Sequence, residues 1–155
     1  MGSKRVGLAR VEALLEAQAR EIAWGGTTTF KGARRAIVDG SAGNVTLTAA
    51  DSGALVVCSG AARTVTLPAP TAGVTYTMVS ASDDEHILQT AGTNVMYGFV
   101  YDLTAGTTIV GVDVRAKGTL TTVSCQIGDR IEIDSDGTNW YIVATLDETP
   151  TFGTH

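Results

Sequence analysis

From residue 44 onward, short segments of alternating apolar and polar residues follow one another, separated by turn residues. Examples are "NVTLTA" (44–49), "VTYTMVS" (74–80) and "RIEID" (130–134). Alternation with a period of two is typical of strands with one buried face, and no helical period occurs after residue 24. Many short strands spaced by turns predict a mainly β fold, namely an antiparallel β-sandwich or barrel of jelly-roll-like type.

The N-terminal segment is different, because residues 4–23 are rich in Ala, Leu, Glu and Arg and predict an α-helix. Apolar residues recur there at intervals of three and four, which is the seam of a coiled coil with one polar position. Two heptads are too short to associate alone, so the rest of the chain has to contribute. An amphipathic helix packed on its own domain explains the pattern equally well. The seam consists of Leu8, Val11, Leu15, Gln18 and Ile22.

The 155 residues suit one domain plus an appendage. Glycines 25 and 26 end the helical pattern. We therefore expect an N-terminal helix over residues 1–24, an extended arm or linker over 25–43, and a β-sandwich or barrel domain over 44–155. The arm contains one short predicted strand, Ala36-Ile37-Val38.

Charge is distributed unevenly along the chain. Residues 1–35 carry seven basic and three acidic residues, whereas the remainder carries four and thirteen. A basic arm joined to an acidic domain fits an acidic protein surface as partner. Nucleic acid is disfavoured because the arm lacks a dense basic cluster with interleaved aromatic residues. No apolar run reaches membrane-spanning length, so we expect no membrane partner.

The stretch "DSDGTN" (134–139) resembles a metal-binding loop at first sight. A calcium loop requires further oxygen ligands at defined spacing, ending in a bidentate carboxylate, and here the series stops at Asn139. Asp-Gly between two alternating runs is instead a strong hairpin signal. The sequence therefore predicts a hairpin turn at this position.

The other chemistry-bearing residues give no catalytic pattern. "SDDEH" (82–86) has one histidine beside adjacent carboxylates, which is not a zinc-ligand spacing and predicts a solvated loop. Cys58 and Cys125 lie in apolar runs typical of buried, reduced thiols, although either one with His86 is a formal nucleophile–base pair. We therefore predict no catalytic, cofactor-binding or metal-binding residues, no cofactor and no enzymatic activity.

The aromatic residues offer possible contact surfaces. Trp140 and Tyr141 are adjacent and so point to opposite faces of their strand, one into the core and the other outward as an anchor or sugar-stacking ring. Tyr97, Phe99 and Tyr101 alternate and share one face. Such a row is more often core or subunit interface than ligand platform.

Two stretches carry a family resemblance. The run "NVTLTAADSGALVVCSGAARTVTLPAPTAGVTYTMVSA" (44–81) and the closing "GDRIEIDSDGTNWYIVA" (128–144) resemble β modules of tailed-bacteriophage virion proteins. These modules occur in capsid decoration (cement) proteins, head fibres and tail-fibre segments. The resemblance implies a homotrimer of β-rich bodies around a threefold axis, without catalytic residues.

The resulting functional hypothesis is a decoration protein that binds the outer surface of the phage head as a trimer and stabilises the shell. Its partners are copies of itself and the major capsid protein, and its location is the virion. The alternatives are a head-fibre, tail-fibre or adaptor component and, third, a carbohydrate-binding module. The predicted trimer contacts are Leu8, Val11, Leu15 and Ile22, and the predicted capsid contacts are Arg5, Arg10, Phe30, Lys31, Arg34 and Arg35.

Overall fold

The computed structural model describes residues 34–104, 110–123 and 125–154. Within these residues the chain is mainly β, with one short 3-10 turn at Ala49–Asp51. The strands are β1 Ile37–Asp39, β2 Val45–Thr46, β3 Leu55–Cys58, β4 Arg63–Leu67, β5 Thr75–Ser80, β6 His86–Thr90, β7 Met96–Asp102, β8 Val110–Lys117, β9 Thr119–Thr122, β10 Arg130–Ser135, β11 Trp140–Leu146 and β12 Thr151–Gly153.

The strands form two mixed sheets. The seven-stranded sheet has the order β1-β3-β5-β10-β11-β7-β8, and the five-stranded sheet has the order β12-β9-β6-β4-β2. Strands β1 to β6 alternate between the two sheets, so the chain winds as a coil. Ile37 pairs with Leu55 in one sheet and Val45 with Val65 in the other, so one turn of the coil takes about 20 residues. All neighbours within this coil run parallel.

The prediction of antiparallel sheets is wrong, because five of the ten strand pairs among the described strands are parallel. The physical reason is that the turns between β1 and β6 lead into the opposite sheet and not back beside the preceding strand. A jelly-roll topology is excluded for this part of the chain, since a jelly roll is built from antiparallel Greek keys. The sequence signals, namely turn residues and alternating apolar and polar residues, are the same for parallel and for antiparallel strand pairing.

Buried side chains from both sheets form one hydrophobic cluster. At its centre Trp140 and Tyr76 pack with ring centroids 5.8 Å apart. The Trp140 indole N–H donates to the Pro68 carbonyl (3.2 Å), and the Tyr76 hydroxyl donates to the Thr48 carbonyl (2.7 Å). Both rings therefore bury their apolar surface while their polar atoms stay hydrogen-bonded, which is the condition for placing such residues in a core.

The closing hairpin forms as the sequence predicts. β10 and β11 pair antiparallel, with Ser135 opposite Trp140 across the "DGTN" turn. Ile131 and Ile133 are buried, whereas Arg130, Glu132 and Asp134 are exposed on the other face. The alternation of apolar and charged residues is what fixes this register, because a slip by one residue would place the charges in the core.

One glycine marks a close approach of two strands. Gly98 of β7 has a φ of +147°, a conformation that residues with a side chain rarely adopt. A Cβ added there would lie 2.8 Å from the carbonyl carbon of Ile142 and would overlap its oxygen. The register between β7 and β8 shifts at the same point, between Met96 and Gly98. A glycine is therefore required where β7 lies between β8 and β11.

The N-terminal part of the predicted domain plan lies mostly outside the described residues. The chain divides into a unit of residues 1–33 and a unit of residues 34–155. The predicted helix over 1–24 falls in the first unit. Within the predicted arm, the expected short strand is present as β1, which pairs in parallel with β3. This end of the arm is thus the edge strand of the seven-stranded sheet.

Candidate functional site: an aromatic face on the larger sheet

Two strands of the seven-stranded sheet present large apolar side chains outward. On β7 the alternate residues Met96 and Val100 are buried, which turns the residues between them away from the core. β11 runs parallel to β7, with Tyr141 beside Tyr97 and Val143 beside Phe99. We call this surface the aromatic face and define it as Tyr97, Phe99, Tyr101, Tyr141 and Val143.

The aromatic face is substantially exposed for such apolar side chains. Phe99 is 54% exposed, Val143 48%, and Tyr101 and Tyr141 43% each. A single exposed apolar residue is ordinary, but a contiguous group spanning two strands is a candidate contact surface. Phe99 and Val143 lie in the middle of this group, and tyrosines lie above and below them along the strands.

The hairpin turn holds one end of the aromatic face in place. The Tyr141 hydroxyl donates to Asp136 Oδ2 (2.9 Å), and its ring lies 6.3 Å from that of Tyr97. Asp136 Oδ1 accepts the backbone N–H groups of Asn139 and Thr138, each at 2.7 Å. These backbone bonds, together with the Tyr141 bond, lower the pKa of Asp136. The polar "DGTN" residues thus close a turn and orient a surface tyrosine.

Charged residues border the aromatic face on both sides. On β10, Glu132 lies beside Val143 and Asp134 beside Tyr141. On β8, Asp113 lies beside Phe99, and Arg115 forms an ion pair with it. Exposed pairs of this kind add little stability, so they leave their charge available to a partner. An apolar centre with a charged rim is the usual composition of a protein–protein interface.

Of the two adjacent aromatic residues of β11, the structure shows which one is in the core and which one is on the surface. Trp140 is fully buried, whereas Tyr141 is exposed and belongs to the aromatic face. Sequence reasoning recognised that Tyr97, Phe99 and Tyr101 share a face, but it did not connect them with Tyr141. The connection depends on the parallel pairing of β7 with β11, for which the sequence carries no local signal.

The predicted capsid contacts fall into two groups. The Arg35 guanidinium donates to the carbonyls of Gly53 (2.8 Å) and Ala54 (3.0 Å) and to the Thr77 hydroxyl (2.8 Å). These bonds hold the start of the described domain against β5 and the loop before β3. Arg34 is exposed. The remaining predicted contacts lie outside the described residues: Arg5, Arg10, Phe30, Lys31 and, for the trimer, Leu8, Val11, Leu15 and Ile22.

A small cavity of about 10 Å³, with a mostly apolar lining surface, lies at one end of the core. The acidic residues 83–85 lie in an exposed loop, as predicted, whereas His86 begins β6 and is buried beside the cavity, and its Nδ1 has no hydrogen-bond partner. The Cys125 thiol lies 3.1 Å from the Ser80 hydroxyl. The volume is close to that of a single water molecule, too small for a substrate. The cavity is lined by Met78, Ser80, His86, Thr122, Cys125, Asp129, Ile131 and Leu146.

Burial is the main cause of the pKa shifts of His86 and the two cysteines. Burial raises the pKa of the Cys125 thiol and lowers the pKa of His86. Burial, reinforced by the nearby Cys125, raises the pKa of Cys58 to about 11. An activated cysteine needs the reverse, a thiolate stabilised by a protonated base. Both cysteines are free thiols, as the sequence predicts.

Within the described ranges, no group of three or more His, Cys, Asp or Glu side chains is arranged to hold a metal ion. The same residues include no helix with the length and hydropathy of a membrane span. Comparisons of the chain with protein-family models, curated proteins and solved structures give no match. The residues and geometry above are therefore the basis for assigning a function.

Proposed function

We propose that this chain is a structural protein of a tailed-bacteriophage virion, a capsid decoration protein that binds the outer head surface as a homotrimer and stabilises the shell. The observation that carries the proposal is the exposed aromatic face of the larger sheet, bordered by charge. Such a surface suits association between proteins better than catalysis. The resemblance of residues 44–81 and 128–144 to phage β modules supplies the biological setting.

The two-sheet architecture supports a sandwich as the body of this protein, because side chains of both sheets share one hydrophobic cluster. In this proposal a second association element is the helix predicted from the sequence for residues 1–24, with its seam at Leu8, Val11, Leu15 and Ile22. The basic residues of segment 1–35 then bind acidic patches on the major capsid protein.

The proposed mechanism of shell binding is avidity. Three modest contacts joined in one trimer bind far more tightly than one, because the second and third contacts form at high effective concentration. Each trimer would link neighbouring coat subunits and so oppose their separation under internal pressure. No side-chain chemistry is required for this task.

The test is binding to purified phage heads by co-sedimentation, with the full chain and with a variant lacking residues 1–33. This cut keeps Arg35 and its three hydrogen bonds. We expect the variant to retain the circular dichroism of a β protein and to lose binding to heads. A truncated protein that still decorates heads at full occupancy would refute the role of the arm, and a full chain without affinity for heads would refute the function.

A fibre or adaptor component is the second possibility within the same setting. It differs in copy number, because a decoration protein is present in hundreds of copies per virion and a fibre in few. Quantified bands from a virion gel separate these two functions.

A carbohydrate-binding module is the third possibility, and the exposure of Tyr141 next to the Asp136 carboxylate is the observation in its favour. A ring on which a sugar stacks, beside a hydrogen-bond acceptor, is a common way to bind a glycan. A glycan array with the wild-type chain and a Tyr141→Ala variant tests this alternative directly.

A further inference from the structure

We infer that the small cavity at the end of the core is a binding site for one water molecule, which donates a hydrogen bond to His86 Nδ1 and links the two sheets. The inference concerns the interior of the domain and does not depend on the proposed function. It rests on the cavity, on the buried imidazole and on the directions of the hydrogen bonds around them.

The hydrogen bonds of Ser82 determine which nitrogen of the His86 ring carries the proton. The Ser82 hydroxyl donates to the Gly60 carbonyl (3.0 Å), and the same oxygen lies 3.4 Å from His86 Nε2. A hydroxyl has only one proton, and the shorter contact takes it, so this oxygen is an acceptor toward Nε2. Nε2 therefore carries the proton of the neutral ring, and Nδ1 is left with a lone pair that needs a donor.

The other donor side chains around the cavity use their protons elsewhere. Each donates to a backbone carbonyl, namely Ser80 to Ser82 (2.6 Å), Thr122 to His86 (2.9 Å) and Cys125 to Asp84. The Glu85 carbonyl lies near enough to the ring to favour its protonated form, but a carbonyl only accepts. Among the described residues, Nδ1 is thus buried with no hydrogen-bond partner from the chain.

A water molecule supplies the donor that the chain lacks at this point. The cavity of about 10 Å³ has room for one molecule of that size and for nothing larger. A cavity with apolar walls alone stays dry, but an acceptor buried without a hydrogen bond costs free energy, and buried water commonly satisfies such atoms. The lone pair of Nδ1 is therefore what makes this cavity a water site.

The second proton of the water has acceptors on the opposite sheet. Ser80 ends β5 and Asp129 directly precedes β10, so both belong to the larger sheet, whereas His86 begins β6 of the smaller one. Ser80 and Asp129 line the cavity together with His86. The two Asp129 carboxylate oxygens each accept one backbone N–H, from Gln126 and from Asp147, and each keeps a further lone pair. A water bound to Nδ1 and to either acceptor is a polar link between the layers.

The first experiment determines the tautomer of His86 by long-range ¹H–¹⁵N correlation NMR on the full chain. It is carried out at pH 7.5, where the ring is neutral because burial lowers the pKa of His86 below 6.5. His155→Gln removes the second histidine of the chain and so assigns the signals. We expect the proton on Nε2. A proton on Nδ1, free to donate to the Glu85 carbonyl, would overturn the inference.

The second experiment compares crystal structures of the wild type and of a His86→Phe variant, which keeps an aromatic ring but has no acceptor. We expect one electron-density peak at about 2.7–3.2 Å from Nδ1 in the wild type, also within hydrogen-bond distance of Ser80 or Asp129, and its loss in the variant. Absence of the peak from the wild type would overturn the inference, and so would a peak that persists in the variant. If the variant does not fold, the tautomer and the wild-type density decide.

Discussion

Replacement of Gly98 by alanine should destabilise the domain more than any other single methyl addition to the sheets described above. At a φ of +147° the backbone occupies a region that costs a residue with a side chain about 1–3 kcal/mol. The new Cβ would also overlap the backbone of Ile142. β11 cannot shift away easily, because it is paired with both β7 and β10. Overpacking against a fixed neighbour costs a further 1–3 kcal/mol or so, which gives about 2–6 kcal/mol in total.

The assay is urea unfolding of the full chain followed by circular dichroism, with the free energy of unfolding obtained by linear extrapolation. The matched control is Gly111→Ala on the neighbouring strand β8, where an added Cβ meets no atom within 4 Å. We expect the control to change the free energy of unfolding by less than about 0.5 kcal/mol. If Gly98→Ala shifts the unfolding midpoint no more than Gly111→Ala does, the close approach of β7 and β11 is not as described.

Three further predictions concern single side chains. Arg35→Lys should lower the free energy of unfolding by about 1–2 kcal/mol, because an ammonium cannot reproduce three hydrogen bonds from one planar group, whereas Arg34→Lys should leave urea unfolding unchanged. Because burial holds the pKa of His86 below its usual 6.5, the unfolded chain binds more protons near that pH. The free energy of unfolding should therefore decrease as the pH is lowered from 7.5 to 5.5. In a His86→Gln variant, urea unfolding should show a smaller decrease over the same range. An equal decrease in the wild type and the variant would contradict burial of the imidazole. Burial, the main cause, raises the pKa of Cys58 from 9.0 to about 11, with a smaller contribution from Cys125. Alkylation of Cys58 by iodoacetamide at pH 8 in a Cys125→Ser variant should therefore be slower in the folded chain than in urea, by up to about 100-fold. Equal rates would refute this prediction.

The sequence predicts the local parts of this fold well. Ile131 and Ile133 alternate with charged residues and are followed by Asp-Gly, so the β10–β11 hairpin depends on contacts close in the chain. The same alternation of apolar and polar residues also predicts the positions of the individual strands. Parallel pairing leaves no such local signal, since β1 and β3 are neighbours only because the chain passes through the other sheet between them.

The candidate site shows the same limit. Alternation places Trp140 and Tyr141 on opposite faces, but only the packing against Tyr76 decides that Trp140 is the buried one. Tyr97 and Tyr141 are far apart in sequence and meet through a parallel register. Arg35 is predicted from the sequence as a capsid contact, and the sequence gives no sign of the three acceptors in the domain that its guanidinium binds. The seam at Leu8, Val11, Leu15 and Ile22 stays a prediction.

The winding of the chain between the two sheets has a mechanical consequence. Among the described strands, only β7–β8 and β10–β11 are consecutive strands of one sheet, and every other connection passes to the opposite layer. A load that separates the layers is therefore shared by many covalent links at once. Single strands cannot be pulled off one after another from one end, as they can in a meander of hairpins. Under an applied force the domain should therefore unfold in one step and at high force.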